Sequence, residues 1–293
     1  MPKATPSPFE AALDRIQRQS TLPTSAGTSD LATLPADVRE RAFFSARVMD
    51  AQVLQRFKDL LDRAIGSGSR AADGSYIPGS AVNLATFRVE AKDLLHSMTY
   101  QPEAGKEGTL QDLSSDSRLE VIYRTNLEMA QGYGAWIQQQ DPASLDAYPA
   151  QELYRLESRL NRRPWGQIWN DAISQLGRGN TSAIPADMPY AEDGMFALVN
   201  DPIWIHISRF DLPYPPFDFG SGMWVRDIDR LQAEELGLLP PGGPAPDPEQ
   251  RSFNADLQAP VDGIAPDLQA ALASFGHIID GVFHISNRST VRP

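Results

Sequence analysis

Between residues 35 and 65 the apolar positions Ala42, Phe43, Ala46, Met49, Val53, Leu54, Phe57, Leu60, Leu61 and Ala64 recur at intervals of three and four. That spacing is one face of an α-helix and predicts a single long helix, capped at Thr33 and ended by Gly66. Ahead of it, residues 7–19 predict a short helix with Ser7 as N-cap, Pro8 at the first position, and Leu13 and Ile16 on one side. The polar, turn-rich STLPTSAGTSDLAT that follows makes this first helix an arm. After Gly66, GSGSRAADGSYIPGS reads as a flexible connector. Residues 84–98 then place Phe87, Ala91, Leu94, Leu95 and Met98 on one helix face.

The next helix is announced by SRLE at residues 117–120, where Ser117 and Glu120 fit a capping box. Its apolar stripe runs through Leu119, Ile122, Tyr123, Ala130, Tyr133, Trp136 and Ile137, interrupted by Gly132 and Gly134. Glycine costs a helix about 1 kcal/mol relative to alanine, so two of them predict close packing against another element. AYPAQELYRLESRLNRRPWGQIWNDA predicts a helix from Pro149 that breaks near Pro164, with Trp165 and Trp169 sharing a face. GMFALVNDPIWIHIS predicts a strand, a turn and a short element carrying Trp204. LPYPPFDFGSGMWVRDIDR, residues 212–230, opens as a loop of prolines, aromatics and glycines and passes into a charged, helix-like run. The loop reads as a lock, with most of its aromatics Tyr214, Phe217, Phe219 and Trp224 buried. A short helix at residues 229–238 ends at Gly237, PPGGPAPDPEQ is spacer, and residues 267–284 add one helix and one closing strand.

The sum is an α+β fold, predominantly helical: long N-terminal helices followed by a compact mixed α/β domain with few short strands. The expected divisions are an N-terminal arm (1–33), a helical region (34–100), an α+β domain (110–239), and a Pro/Gly-rich linker with C-terminal tail (240–293). The 293 residues are 41% apolar, enough for a sizeable core, and the 24 prolines and 21 glycines predict many irregular connections. No stretch approaches the roughly 18 apolar residues of a membrane span or the core of a signal peptide, so a soluble chain with no membrane anchor is expected.

Charge and chemistry narrow the picture further. A net charge of −12 opposes generic nucleic-acid binding, although a local basic patch stays open. With no cysteine, thiolate catalysis, disulfides and cysteine-ligated metals are excluded. The four histidines, His96, His206, His277 and His284, lack an HExxH pattern or carboxylates at ligand spacing, so no metal site is expected. Ser221 sits in FGSGM, but a nucleophile elbow needs glycine two residues to either side, where Phe219 and Met223 stand. No phosphate loop and no GxGxxG run occurs, so no cofactor, no small-molecule substrate and no catalytic residue is assigned. Glu234 and Glu235 read as a solvated helix face, and Asp218 and Asp227 as caps. Arg155, Arg159, Arg162 and Arg163 form the strongest electrostatic feature, either paired with Glu152 and Glu157 on one helix or contacting phosphate or an acidic partner.

Taken in order, LPADVRERAFFSARVMDAQVLQRF, SRLEVIYRTNLEMAQGYGAW, YPAQELYR, NDPIW and YPPFDFGSGMWVRDIDRLQAEELGLL resemble the phage Mu F-like minor head proteins of the head morphogenesis family. Arg118, Glu120, Tyr123, Arg124, Thr125, Asn126 and Ala130 match that family's central helix, and Trp204, Pro215, Pro216, Phe217 and Asp218 match its D-P-x-W and Pro-Pro segments. Relatives end the latter in a cysteine-containing motif that is absent here. The resemblance implies a structural protein of the virion, at the capsid interior or portal vertex, with portal and major capsid protein as partners and a part in head assembly or DNA delivery. It carries over no catalytic residue and marks the motif as a folding signature. A DNA-binding protein working through the arginines, and a transferase or hydrolase, are the competing readings.

Overall fold

The computed structural model describes residues 7–66, 69–70, 76–77, 82–177, 193–249, 257–261, 263–273 and 276–285. Helices hold 46% and strands 11% of the residues, an α+β fold dominated by helix as its periodicities predict. In chain order the elements are α1 (Pro8–Arg18), β1 (Ser20–Thr21), α2 (Thr28–Leu31), α3 (Ala36–Arg41), β2 (Ala42–Phe43), α4 (Ala51–Gly66), β3 (Ser69–Arg70), β4 (Tyr76–Ile77) and α5 (Leu84–Ser97). There follow α6 (Asp116–Gln139), α7 (Pro142–Ala147), β5 (Ala150–Arg155), α8 (Trp165–Gln175), β6 (Phe196–Leu198), α9 (Ile203–His206), β7 (Met223–Ile228) and α10 (Arg230–Glu235). The last are β8 (Leu257–Pro260), α11 (Pro266–Leu272), β9 (His277–Ile279) and β10 (Val282–Ile285). Most of the connector expected after Gly66 lies outside the described residues, apart from the antiparallel pair β3 and β4. No helix among the described residues is long and apolar enough to cross a membrane.

The chain divides into two compact units, one of residues 12–127 and 251–293, the other of residues 1–11 and 128–250. In the first, the expected arm is instead core: Leu22, Ala26, Leu31 and Leu34 pack with Val38 and Ala42 and with Ala259, Val261, Leu268 and Phe283 of the C-terminal segment. That segment is a three-stranded antiparallel sheet in the order β8-β10-β9 with α11 beside it, more strand than the single closing strand expected.

The long helix expected over residues 35–65 is broken in two. β2 leaves the helical path to pair in parallel with β1, and the amides of Leu22, Thr24 and Arg47 donate to Phe43 O, Val48 O and Ala26 O. Arg47 sits in the left-handed region at φ 61°. The Asp50 carboxylate then caps α4 by accepting from the Gln52 and Val53 amides at 2.8 and 3.1 Å. The periodicity survived because both helices and the strand between them face apolar neighbours. Phe57 of α4, Phe87 of α5 and Tyr123 of α6 pack in sequence as tilted rings, with centroids 5.5 and 5.3 Å apart.

α6 starts one residue before the expected box. Ser115 caps it, its Oγ accepting from the Arg118 amide at 3.1 Å while donating to Thr109 O at 2.7 Å. Glu120, freed from a capping role, pairs with arginines instead.

The second unit is built on an antiparallel sheet in the order β6-β5-β7. The helix expected from Pro149 is the central strand β5 followed by a loop, and the charged run after Gly222 is the edge strand β7 rather than helix. Ladder pairing on both sides of β5 overrides the helix-forming composition of AQELYR. Trp165 and Trp169 do share the buried face of α8. Asp229 caps α10 through the Gln232 amide at 2.8 Å, and Gly237, at φ 70°, ends it. Residues 240–249 hold no helix or strand, yet they are tethered, with Asn200 Nδ2 donating to Asp247 O at 2.6 Å and the Glu249 amide to Gln140 Oε1 at 2.7 Å.

Candidate interaction site: an arginine-clamped loop

The D-P-x-W segment makes a compact corner. Asp201 Oδ1 accepts from the Ile203 amide at 2.9 Å and so opens α9. Trp204, fully buried, donates its indole N–H to Leu198 O at 2.9 Å and stacks on Phe217 at 5.8 Å, with Trp169 edge-on at 5.5 Å. The following loop turns at Ser208, whose Oγ accepts from the Phe210 and Leu212 amides. Tyr214 then packs against Tyr133 and Trp136 of α6 at 5.7 and 6.0 Å. Buried Pro215 lies directly on Gly132, where an added Cβ would stand 1.9 Å from Pro215 O. The Pro215–Pro216 peptide is cis. The close approach expected of a helical glycine is thus found at Gly132. Of the loop's four aromatics Tyr214 and Phe217 are buried, and Phe219 and Trp224 are half-buried.

Beyond Phe217 the chain cannot join the sheet, and its carbonyls are satisfied by arginines. Arg163 Nη2 donates to Phe219 O at 2.8 Å, Arg159 Nε to Gly220 O at 3.0 Å, and Arg155 Nη1 to Ser221 O at 3.4 Å. Gly222 O accepts from the Leu156 and Glu157 amides at 2.9 and 3.0 Å. Four consecutive carbonyls are therefore taken up by one stretch, Arg155 at the end of β5 and the loop that follows it to Arg163. Asp218 pairs with Arg163 at 2.7 Å and lies 3.9 Å from Arg209, whose guanidinium rests over the Phe219 ring at 5.6 Å. The expected same-helix pairing is corrected: Arg155 is the last residue of β5, Arg159 pairs with Glu157 at 2.8 Å within the loop, and Glu152 pairs across the sheet with Arg226. Arg162 is exposed.

The central-helix motif residues fall in the other unit as far as Asn126. Arg118 donates to Ser45 Oγ at 2.6 Å, Ala46 O at 3.0 Å and Leu110 O at 3.4 Å, and burial lowers its pKa from the usual arginine value. Glu120 bridges Arg88 at 2.7 Å and Arg124 at 2.8 Å. Tyr123 donates its hydroxyl to Val82 O at 3.0 Å, and burial raises its phenol pKa. Thr125 is buried, and Asn126 Nδ2 donates back to Ile122 O at 2.8 Å.

The remaining candidates carry ordinary structural contacts. Ser221 is buried and its Oγ accepts from the Met223 amide at 3.2 Å. His206 Nδ1 lies 3.2 Å from Gln175 Oε1, His96 is in the last turn of α5, and His277 and His284 are register partners on β9 and β10. No group of three or more potential metal ligands occurs among the described residues.

Two features were not anticipated. One is an open cavity of about 260 Å³ whose walls include Trp169, Ile173, Leu176, Phe196 and Leu238, with Asp201 as the acidic lining residue. It is assembled from α8, β6, the D-P-x-W corner and the end of α10, so no single stretch of sequence signals it. The other is Leu160, fully exposed in the middle of the arginine-bearing loop; a leucine between arginines was a visible signal once the segment is known to be a loop. Comparison with protein-family models, with curated proteins and with solved structures yields no match to this chain.

Proposed function

We propose that the protein is a structural, non-enzymatic minor head protein of a phage or prophage-like particle. It binds portal and major capsid protein, at the capsid interior or portal vertex, and assists head morphogenesis or DNA packaging and delivery. The reading rests on the ordered resemblance of its segments to Mu F-like minor head proteins. One structural observation supports it: the motif side chains are engaged in holding their own units together. Trp204 and Phe217 stack in a core, Asp218 anchors Arg163, and Arg118 ties α6 to residues 45–46 and 110. That is the behaviour of a scaffold signature, and it leaves recognition to surfaces outside the motif.

The arginine clamp weighs against DNA as the main partner. Three of the four cluster guanidiniums donate to carbonyls of the 219–221 loop, within a chain of net charge −12. The test is mass spectrometry of purified particles together with co-sedimentation on portal or procapsid. The protein is expected in both, and deletion of its gene is expected to abolish infectious particles. A protein that stays free and is absent from particles would overturn the reading. Salt-sensitive DNA binding abolished by Arg159→Ala with Arg163→Ala would favour the DNA reading instead.

A further inference from the structure

A single exposed leucine is ordinary on a protein surface. Leu160 differs in how it is held. Its loop is fastened at one end by the Leu156 and Glu157 amides to Gly222 O, and on both sides of the leucine by Arg159 to Gly220 O and Arg163 to Phe219 O. The side chain is thus presented to solvent at full exposure from a fixed backbone, with half-exposed Leu156 four residues earlier. Rigid presentation removes most of the ordering cost that a flexible loop meets on binding.

The same unit carries a cavity of fitting size. At about 260 Å³ it falls below the roughly 300–1,000 Å³ of small-molecule sites, and the side chains that line it are apolar except for Asp201, with backbone polar groups making up part of the wall. Trp169, on its wall, has an indole N–H with no acceptor among the described residues. The charges are complementary as well. Leu160 stands in the densest run of cations in the chain, Arg155, Arg159, Arg162 and Arg163, which keeps a positive surplus after Arg159 pairs with Glu157 and Arg163 with Asp218, whereas the cavity has Asp201 in its lining and exposed Glu235 two residues before Gly237 at its edge. Between copies that repel through a net charge of −12, a basic knob directed at an acidic, apolar hole is the contact that electrostatics favours.

We infer that this protein self-associates head to tail, the Leu160 loop of one copy seating in the Trp169–Leu238 cavity of the next. The two surfaces are different, so the contact is heterologous and repeats around a ring or along an open chain. It is small, and its dissociation constant belongs in the micromolar range typical of weak encounters. The inference stands apart from the head-protein reading, because it concerns a contact between identical chains and needs no other particle component.

The natural absence of cysteine makes the test clean. Full-length chains carrying Leu160→Cys and Leu238→Cys are mixed at about 50 μM, a concentration suited to a micromolar contact, and treated with a short thiol cross-linker. The mixed pair is expected to cross-link on the order of ten times faster than either variant alone or than Leu238→Cys mixed with Leu110→Cys. Sedimentation velocity of the unmodified chain is expected to show mass rising with concentration, and Leu160→Asp to weaken association about tenfold or more. Because Leu160 makes no buried contact, that variant keeps the fold, which its circular dichroism verifies. A mixed pair no faster than the control, a single-chain mass at every concentration, or association untouched by Leu160→Asp would overturn the inference.

Discussion

The contact between Gly132 and Pro215 gives the sharpest test of the packing. In Gly132→Ala the new Cβ stands 1.9 Å from Pro215 O and 2.9 Å from its carbonyl carbon, where real Cβ contacts essentially never fall below 3.0 Å. The oxygen must therefore retreat by about 1.1 Å, the difference between those two distances. The helix backbone is the stiffer side, so the loop yields. Tyr214, only 2% exposed and packed on Tyr133 and Trp136, moves with it. Overpacking costs about 1–3 kcal/mol, and loosening two aromatic contacts costs about 0.5–1.5 kcal/mol each. Against this, alanine gains about 1 kcal/mol of helix propensity. The net expectation is destabilisation of about 1–5 kcal/mol, centred on about 3 kcal/mol.

All five tryptophans lie within residues 128–250, so intrinsic fluorescence reports on the unit that contains this contact without any engineering. In urea the fluorescence midpoint of Gly132→Ala is expected to fall by about 1–2 M, with Gly132→Val lower still. Gly66→Ala supplies the contrast, since the nearest atom to its new Cβ is Leu13 Cδ1 at 3.6 Å, an ordinary contact. Its thermal midpoint by far-ultraviolet ellipticity is expected to hold or rise. A Gly132→Ala protein as stable as the parent would refute the packing argument, because helix propensity alone predicts a gain.

Three further outcomes follow from other contacts. Gly220→Ala, at φ 54° with open space around it, is expected to cost about 1 kcal/mol, whereas Gly222→Ala combines φ 67° with a Cβ 2.6 Å from Glu157 O and is expected to cost at least about 2 kcal/mol more, both read by urea unfolding. Arg118→Met leaves the Ser45, Ala46 and Leu110 acceptors without their donor and is expected to lower stability by about 2–3 kcal/mol, with Arg118→Lys a poor rescue because one ammonium cannot span that fork. For Asp112, burial pulls the pKa up, but the Ser114 hydroxyl and the Gly108 and Ser114 amides outweigh it and hold the carboxyl below its usual value. A folded-state pKa depressed in this way adds stability above the unfolded aspartate value, near about 3.9, and loses it as pH falls through the folded value. Asp112→Asn is therefore expected to cost about 1–2 kcal/mol in thermal unfolding at neutral pH and progressively less in acid.

What was legible in the sequence depended on how local its cause was. The Ser7 start of α1, the shared face of Trp165 and Trp169 and the Asp229-to-Gly237 helix all follow from neighbours within a few residues, whereas Gly132 signals a tight approach without naming its distant partner, Pro215. The segments at 35–65 and 149–163 were misread because their conformation is decided by distant partners. Ala42 and Phe43 extend to meet Ser20 and Thr21, and residues 150–155 become a strand between β6 and β7. Apolar spacing of three and four cannot register a left-handed Arg47 between two helices that both face apolar neighbours. The arginine cluster was visible as a composition, but its direction was not, since its acceptors lie some sixty residues away at Phe219, Gly220 and Ser221.

That direction explains why the 212–230 segment carries so many unusual residues at once. Tyr214 belongs to the aromatic group of α6, and Phe217 belongs to the core of Trp169 and Trp204, so the two residues between them must bridge two cores past the surface of Gly132. Prolines 215 and 216 restrict that short span and offer no amide that would need an acceptor in the tight contact. Once past Phe217 the chain must reverse into β7, which strands four carbonyls in succession, and a partly buried carbonyl left unpaired costs about 1–3 kcal/mol. Guanidiniums suit three of them because their long stems reach from a neighbouring loop and their fixed donors satisfy acceptors that no ladder strand covers. The cations, prolines, glycines and aromatics are therefore parts of one solution, and the same clamp that closes the loop is what holds Leu160 out in solvent.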